Sequence, residues 1–207
     1  MTYEEKYKKH KREFVLKTIE FHNNTSHEPI EIKKDFQTYE DFLNTPEICA
    51  KCGGKCCQHY PCLFSPYDFL DVTNIEYMKR IIELGIICIA KSCYDNTLVL
   101  RPRGIKDKKK IVSTRLPLNN RCILYSETGC MLSSDFRPSE ALLYYAKSED
   151  YHIPIYHTSD CTEDWQLFHD QMKILYYTYK YVNSPIRETP TESQVLKLTR
   201  RISGYKN

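Results

Sequence analysis

The apolar positions of this chain fall into blocks of different period, and together they predict a helix-rich protein with a small strand region. Trp165, Phe168, Met172, Leu175, Tyr179 and Val182 are spaced 3, 4, 3, 4 and 3 residues apart, which sets them on one face of a long helix over 162–182. Near the N-terminus Tyr3, Tyr7, His10, Phe14 and Phe21 keep a looser rhythm with charges between them. That pattern predicts an exposed helix over 3–22 with a narrow apolar stripe. Capping chemistry marks further helix starts: Ser65-Pro66-Tyr67-Asp68, Thr73-Asn74-Ile75-Glu76 before Met78, Ile82 and a terminating Gly85, and Pro138 before a helix to Lys147. Thr38-Tyr39-Glu40-Asp41 predicts a short helix, and Thr189-Pro190-Thr191-Glu192 a final one that ends near Ser203-Gly204.

Two β-like runs, Thr97–Leu100 and Ile111–Leu116, flank the segment Arg101–Lys110, which holds six basic residues and one acid. The segment reads as the solvated tip of a hairpin, with Gly104 and Asp107 as turn residues. The fold expected is α+β, a helix-rich single domain in which helices and a small β-hairpin region surround a cysteine-ligated metal centre. Its divisions are an N-terminal helix and linker (1–34), a cysteine-cluster metal-binding domain (35–185) and a C-terminal helix (186–207).

At 207 residues the chain can bury a core without covalent staples. Its ten cysteines therefore call for another explanation. The N-terminal segment is charged and helix-periodic, resembling neither a signal peptide nor a membrane span. The expectation is a cytoplasmic protein with no membrane partner, in a reducing compartment where clustered thiols serve as ligands or reactive groups. A formal charge of +3 is too mild to imply a nucleic acid partner.

The chemistry concentrates in Cys49-Ala-Lys-Cys-Gly-Gly-Lys-Cys-Cys57, four thiols in nine residues. Cys49 and Cys52 have the spacing at which a turn aims two sulfurs at one ion. Gly53 and Gly54 allow close backbone approach, and Lys51 and Lys55 add positive charge beside the thiolates. Adjacent Cys56 and Cys57 face one centre only if the chain turns there, since an extended strand would send them to opposite sides. A second pair, Cys122 and Cys130, brackets a predicted tight hairpin with Gly129 placing the second thiol. Two sulfurs from each region would close a tetrahedral set or the corners of a cubane. Four thiols in one loop favour a 4Fe–4S cluster over zinc, and zinc stays as the alternative. Cys62 and Cys161 are ligands of second rank, Cys88 and Cys93 are read as structural, and His59 as a neighbouring or surface group.

CAKCGGKCC, the following PCLFSPYDF, and a C-x7-C pair with Arg137-Pro138 shortly after it resemble the CxxCxxCC cysteine-cluster family of the YkgJ type. The resemblance covers about 49–147 and implies zinc or iron chelation. The family pattern continues to a Cys-Arg pair where this chain has Ala141 and Leu142, so one thiol is missing. Either the site manages with the remaining sulfurs or Cys161, at the start of the long helix, replaces it; the helix N-terminus would favour its thiolate. The flagellin lysine N-methylases carry a similar cluster. That resemblance implies, as an alternative, an enzyme acting on a protein or peptide substrate with S-adenosylmethionine. A zinc-stabilised interaction module is the third reading.

Overall fold

The computed structural model describes residues 1–30, 55–92, 95–113, 120–146, 152–186 and 188–205. The predicted short helix at Thr38–Asp41 lies outside them. Helix α1 (Tyr3–Thr25) begins with a capping box in which Thr2 and Glu5 satisfy each other's backbone N–H groups. It is not an exposed helix. Its buried face is Tyr7, Lys11, Val15 and Ile19, four residues apart, and of the predicted stripe only Tyr7 is fully buried. A search on apolar residues passes over this face because a lysine stands in it.

Helix α2 (Lys55–His59) follows, and then a 3₁₀ turn at Pro66–Asp68, where Ser65 caps Tyr67 N–H and the Asp68 carboxylate accepts Ser65 N–H. In helix α3 (Ile75–Glu83) the cap is Asn74, whose side chain accepts from Tyr77 N–H. Thr73, the expected cap, is held by Asp71 instead.

Strand β1 (Ile87–Lys91) is the centre of a three-stranded sheet, with β2 (Leu98–Pro102) antiparallel on one side and β3 (Ile111–Ser113) parallel on the other. The predicted hairpin is therefore replaced by a crossing from one edge of the sheet to the other. Nor is the basic segment a solvated tip, because Arg101, Arg103 and Lys110 are buried. Each has at least one partner that offsets its burial. Arg103 donates to the carbonyls of Gly85, Ile186 and Asp107 and to the Ser184 hydroxyl, and Lys110 sits 4.6 Å from the centre of the Tyr179 ring. Asp107 is the turn residue expected, accepting Gly104 N–H at 2.7 Å.

A second ribbon, β4 (Tyr125–Ser126) and β5 (Gly129–Cys130), forms the predicted tight hairpin. The helix expected after Pro138 is only one turn, α4 (Ser139–Leu142), and the chain continues as β6 (Tyr144–Ala146), paired with β7 (His152–Pro154). The aromatic pair Tyr144-Tyr145 is well suited to a strand. The long helix over 162–182 is two helices, α5 (Thr158–Gln166) and α6 (His169–Tyr179). Between them Leu167 and Phe168 donate to the carbonyls three residues back, Asp164 and Trp165, a tightened final turn. The break lets Leu167 reach solvent while Trp165, Met172, Leu175 and Tyr179 keep the predicted buried face.

Helix α7 (Glu192–Ile202) is capped by Thr191 with Gln194 and ends before Gly204, as expected. The fold is α+β, with seven helices among the described residues. One core takes in Val15 and Ile19 of α1, the β1–β2 face, Trp165 and Leu175, and Val195, Leu198 and Ile202 of α7. No described helix is long and apolar enough to cross a membrane.

Candidate metal centre

Of the cysteines expected as ligands, Cys49 and Cys52 lie outside the described residues, as does the side chain of Cys56. Cys56 and Cys57 both belong to α2. A helical turn sets successive residues about 100° apart around its axis, so the backbone turns where two adjacent thiols require it to. Cys57 is half-buried.

The second cysteine region is brought to this helix. Cys122 N–H donates to the Cys57 carbonyl at 2.8 Å, and the Gln58 side-chain amide donates to the Tyr125 hydroxyl at 3.0 Å. Residues 65 positions apart in sequence are thus joined by backbone. Tyr125 lies opposite Cys130 in the β4–β5 ribbon, and Gly129 holds φ of 111°, a conformation that an L side chain would strain. The expected approach of the knuckle to the loop is present at Cys57. Among the described residues no group of three or more His, Cys, Asp or Glu side chains is gathered to hold a metal.

A floor under the knuckle comes from the basic segment. Ile123 N–H donates to Arg103 O and Ile105 N–H to Arg121 O, at 2.8 and 2.9 Å, and Gly104 is bridged to Cys122. A Cβ on Gly104 would overlap the Asn120 side chain, so only glycine permits this approach. Asn120 in turn donates to Asp107 Oδ1 and accepts Lys106 N–H.

Arg101 lies beside this arrangement. Directly opposite Cys88 in the β1–β2 register, it is 1% exposed. Its Nη1 donates to Asp107 Oδ2 at 2.8 Å and to Pro102 O at 2.9 Å, while Nε and Nη2 are buried with no partner among the described residues. An unmet buried donor costs about 1–3 kcal/mol, and more on a charged group. Burial acts against the Arg101 charge, and Cys88, Asp107 and Cys122 more than offset it, so its pKa is raised. Burial pushes the Cys88 thiol up to about 11 despite Arg101. Cys88 is accordingly a neutral, structural thiol, as read from the sequence. Cys93 lies outside the described residues.

Cys161 is fully buried in α5. Its Sγ donates to the Phe64 carbonyl at 3.2 Å, and the same oxygen accepts the Trp165 indole N–H at 2.7 Å. Burial, followed by the negative charges of Glu140 and Asp68, pushes this thiol well above its ordinary value. The expected favouring of a thiolate by the helix N-terminus is outweighed. Cys62 is also buried, and its neighbour Leu63 donates its N–H to Glu140. Ala141 is in α4 next to Glu140. His59 is exposed.

Two residues organise the region in ways the sequence does not signal, Asp68, legible only as part of a helix cap, and Glu140. Asp68 accepts from Lys11, Ser65 N–H and both the N–H and hydroxyl of Ser139, tying α1 to the segments on either side of the cysteine regions. Glu140 ties Leu63 N–H to the Thr158 hydroxyl. Their acidic character was visible, but not the burial that gives it a role.

Among the grooves at the surface of the described residues, two lie near elements discussed above. One, of about 750 Å³, includes Cys130, Met131, Phe136, Leu196 and Thr199 and reaches the knuckle. The other, of about 810 Å³, lies between α1 and α5, with Phe14, Tyr67, Tyr156 and Asp164 on its walls and no cysteine among its described lining. Neither a family model, a curated protein nor a solved structure matches the chain.

Proposed function

We propose that this is a cytoplasmic metal-binding protein whose centre is held by thiolates of Cys49, Cys52, Cys56 and Cys57 together with Cys122 and Cys130. The observation that carries the reading is the Cys122 N–H to Cys57 O bond, which brings the two-thiol knuckle against the segment that carries the four-thiol motif. The donor set suits a 4Fe–4S cluster or zinc: soft sulfur ligands, glycines beside them and a buried guanidinium with unmet donors close by. The clustered loop favours iron–sulfur. When bound, the cluster supplies one-electron chemistry, whereas zinc supplies a redox-inert centre. The resemblance to the CxxCxxCC family supports the same reading. Cys161 has the weakest case as a ligand, since its thiol is engaged as a donor to Phe64.

Anaerobic purification followed by iron, zinc and acid-labile sulfide analysis tests the proposal. About one zinc, or iron and sulfide in equal amounts, is expected per chain; a chain that folds without either metal would refute it. The groove that reaches Cys130 favours, as a second reading, an enzyme that brings a protein or peptide and S-adenosylmethionine to the centre. Calorimetric titration of S-adenosylmethionine into the metal-loaded protein, with no heat of binding, would remove it.

A further inference from the structure

The basic segment between β2 and β3 is only partly taken into the core. Arg101, Arg103 and Lys110 are buried, whereas Lys108 and Lys109 are exposed. Backbone bonds fix these two beside the end of α6. Ser184 N–H donates to Lys108 O at 3.1 Å, Lys110 N–H donates to Val182 O at 3.2 Å, and Lys109 is bridged to Asn183. Asp107, the one acid of the segment, spends its carboxylate on Arg101, Gly104 and Asn120.

The outer face of α6 continues this surface. At about 100° per residue, Lys173, Ile174 and Tyr177 lie opposite the buried Met172, Leu175 and Tyr179, and Lys180 extends the helical turn as the cap. Tyr177 is 70% exposed, and Tyr181, just past the helix, is 85% exposed. These groups adjoin one another. Lys180 Nζ lies 5.4 Å from the centre of the Tyr181 ring and 6.0 Å from that of Tyr176, which meets Tyr177 edge-on at 5.5 Å. From Lys173 to Asn183 the sequence has no acid, and none of Lys108, Lys109, Lys173 and Lys180 is in an ion pair with a described carboxylate. Glu83 meets α6 on its buried side, accepting from the Tyr179 hydroxyl at 3.3 Å.

Lysines alone would make a solvated face. Exposed rings set among them fit a chain that carries a flat π face and a negative charge on every unit. We propose that this surface binds single-stranded nucleic acid, with Tyr177 and Tyr181 as stacking platforms for unpaired bases and Lys108, Lys109, Lys173 and Lys180 as phosphate contacts. A duplex keeps its base faces stacked inside. An acidic peptide would pair the lysines and leave the rings uncovered, and an anionic bilayer is met by Trp, Phe and Leu, whereas the rings here end in hydroxyls. The formal charge of +3 does not register the patch, because acids elsewhere balance it, among them Glu13, Asp160, Glu163 and Asp164 around the α1–α5 groove. The inference makes no use of the cysteine centre.

Fluorescence anisotropy of a labelled oligothymidylate of about 12 nucleotides, titrated with the whole chain, tests the proposal. Binding is expected to weaken with salt at a slope of about −3 in log K against log salt, from four phosphate contacts at ~0.7 each. Tyr177→Ala and Tyr181→Ala are each expected to weaken it about 5- to 150-fold, the loss of one stacked base, and Tyr177→Phe, which keeps the ring, to stay within about twofold. The double variant Lys108→Gln/Lys109→Gln should make the slope shallower by about 1.4. An equal loss of charge from exposed positions on α1, Lys6→Gln/Lys9→Gln, should leave affinity and slope as in wild type. No binding at about 50 mM salt, or equal losses in the two double variants, overturns the proposal. Binding untouched by both tyrosine-to-alanine changes also overturns it and marks a polyanion surface that does not engage bases. So does a duplex of the same length bound as tightly as the single strand, or binding to phosphatidylserine vesicles in place of the oligonucleotide.

Discussion

Replacing Asp68 by alanine removes one acceptor from four donors: Lys11 Nζ, Ser65 N–H, Ser139 N–H and the Ser139 hydroxyl. Lys11 and Asp68 are both essentially inaccessible, so the ammonium would be left buried with only Arg137 O and the Ser139 oxygen. Breaking a buried ion pair from one side costs about 3–5 kcal/mol. For a chain of this size each kcal/mol is worth ~2–4 °C in Tm, which gives a fall of roughly 6–20 °C. Lys11→Met should be milder, about 1–3 kcal/mol, because the carboxylate keeps three of its four donors. The double variant should cost less than the sum of the two by about 0.5–3 kcal/mol. Urea unfolding followed by the fluorescence of Trp165, the single tryptophan and a buried one, measures all three. If Lys11→Met were as damaging as Asp68→Ala, or the two costs simply added, the reasoning about this pair would fail.

Gly104→Ala should destabilise by about 1–3 kcal/mol through overpacking and also lower metal content, because Asn120 and the Cys122 segment must shift; wild-type stability would contradict the close approach. Burial pushes the Asp95 carboxyl up, but hydrogen bonds from Thr97 and Ser92 more than offset it and hold it at about 2, below its ordinary 3.8. Since the folded value is the lower one, the stability it contributes is fully present above about pH 4 and is lost as pH falls through about 2. An NMR titration of Asp95 with a midpoint near 3.8 would refute this, and Asp95→Asn should flatten that acid limb. Cys161→Ser should leave metal content within about a tenth of wild type, because burial and the Phe64 hydrogen bond keep that thiol protonated; a loss matching that of Cys122→Ser would restore Cys161 to the ligand set.

Where a local rule decided the structure, the sequence was legible. The Ser65 and Thr191 caps, the Gly129 hairpin and the buried face from Trp165 to Tyr179 depend on spacing or on one residue's backbone freedom. Failures occurred where burial overrode residue character. Lys11, Arg101 and Arg103 have the chemistry of surface residues, and only the positions of Asp68, Asp107 and several carbonyls make their burial tolerable. The exchange of a hairpin for a parallel β1–β3 pair has the same root, since the basic run was read as solvated. At the candidate site, the approach of Cys122 to Cys57 is legible because the two thiols of the knuckle cannot close a site by themselves. Arg101 is not, because nothing in its sequence neighbourhood tells a buried guanidinium from a solvated one.

The claim that loop and knuckle form one centre is tested most directly by X-ray absorption at the edge of the bound metal. Wild type should show a shell of sulfur alone, at about 2.3 Å for zinc, with Cys52→Ser and Cys122→Ser each losing sulfur from it. A shell dominated by nitrogen and oxygen, or a sulfur count unchanged in Cys122→Ser, would contradict the account.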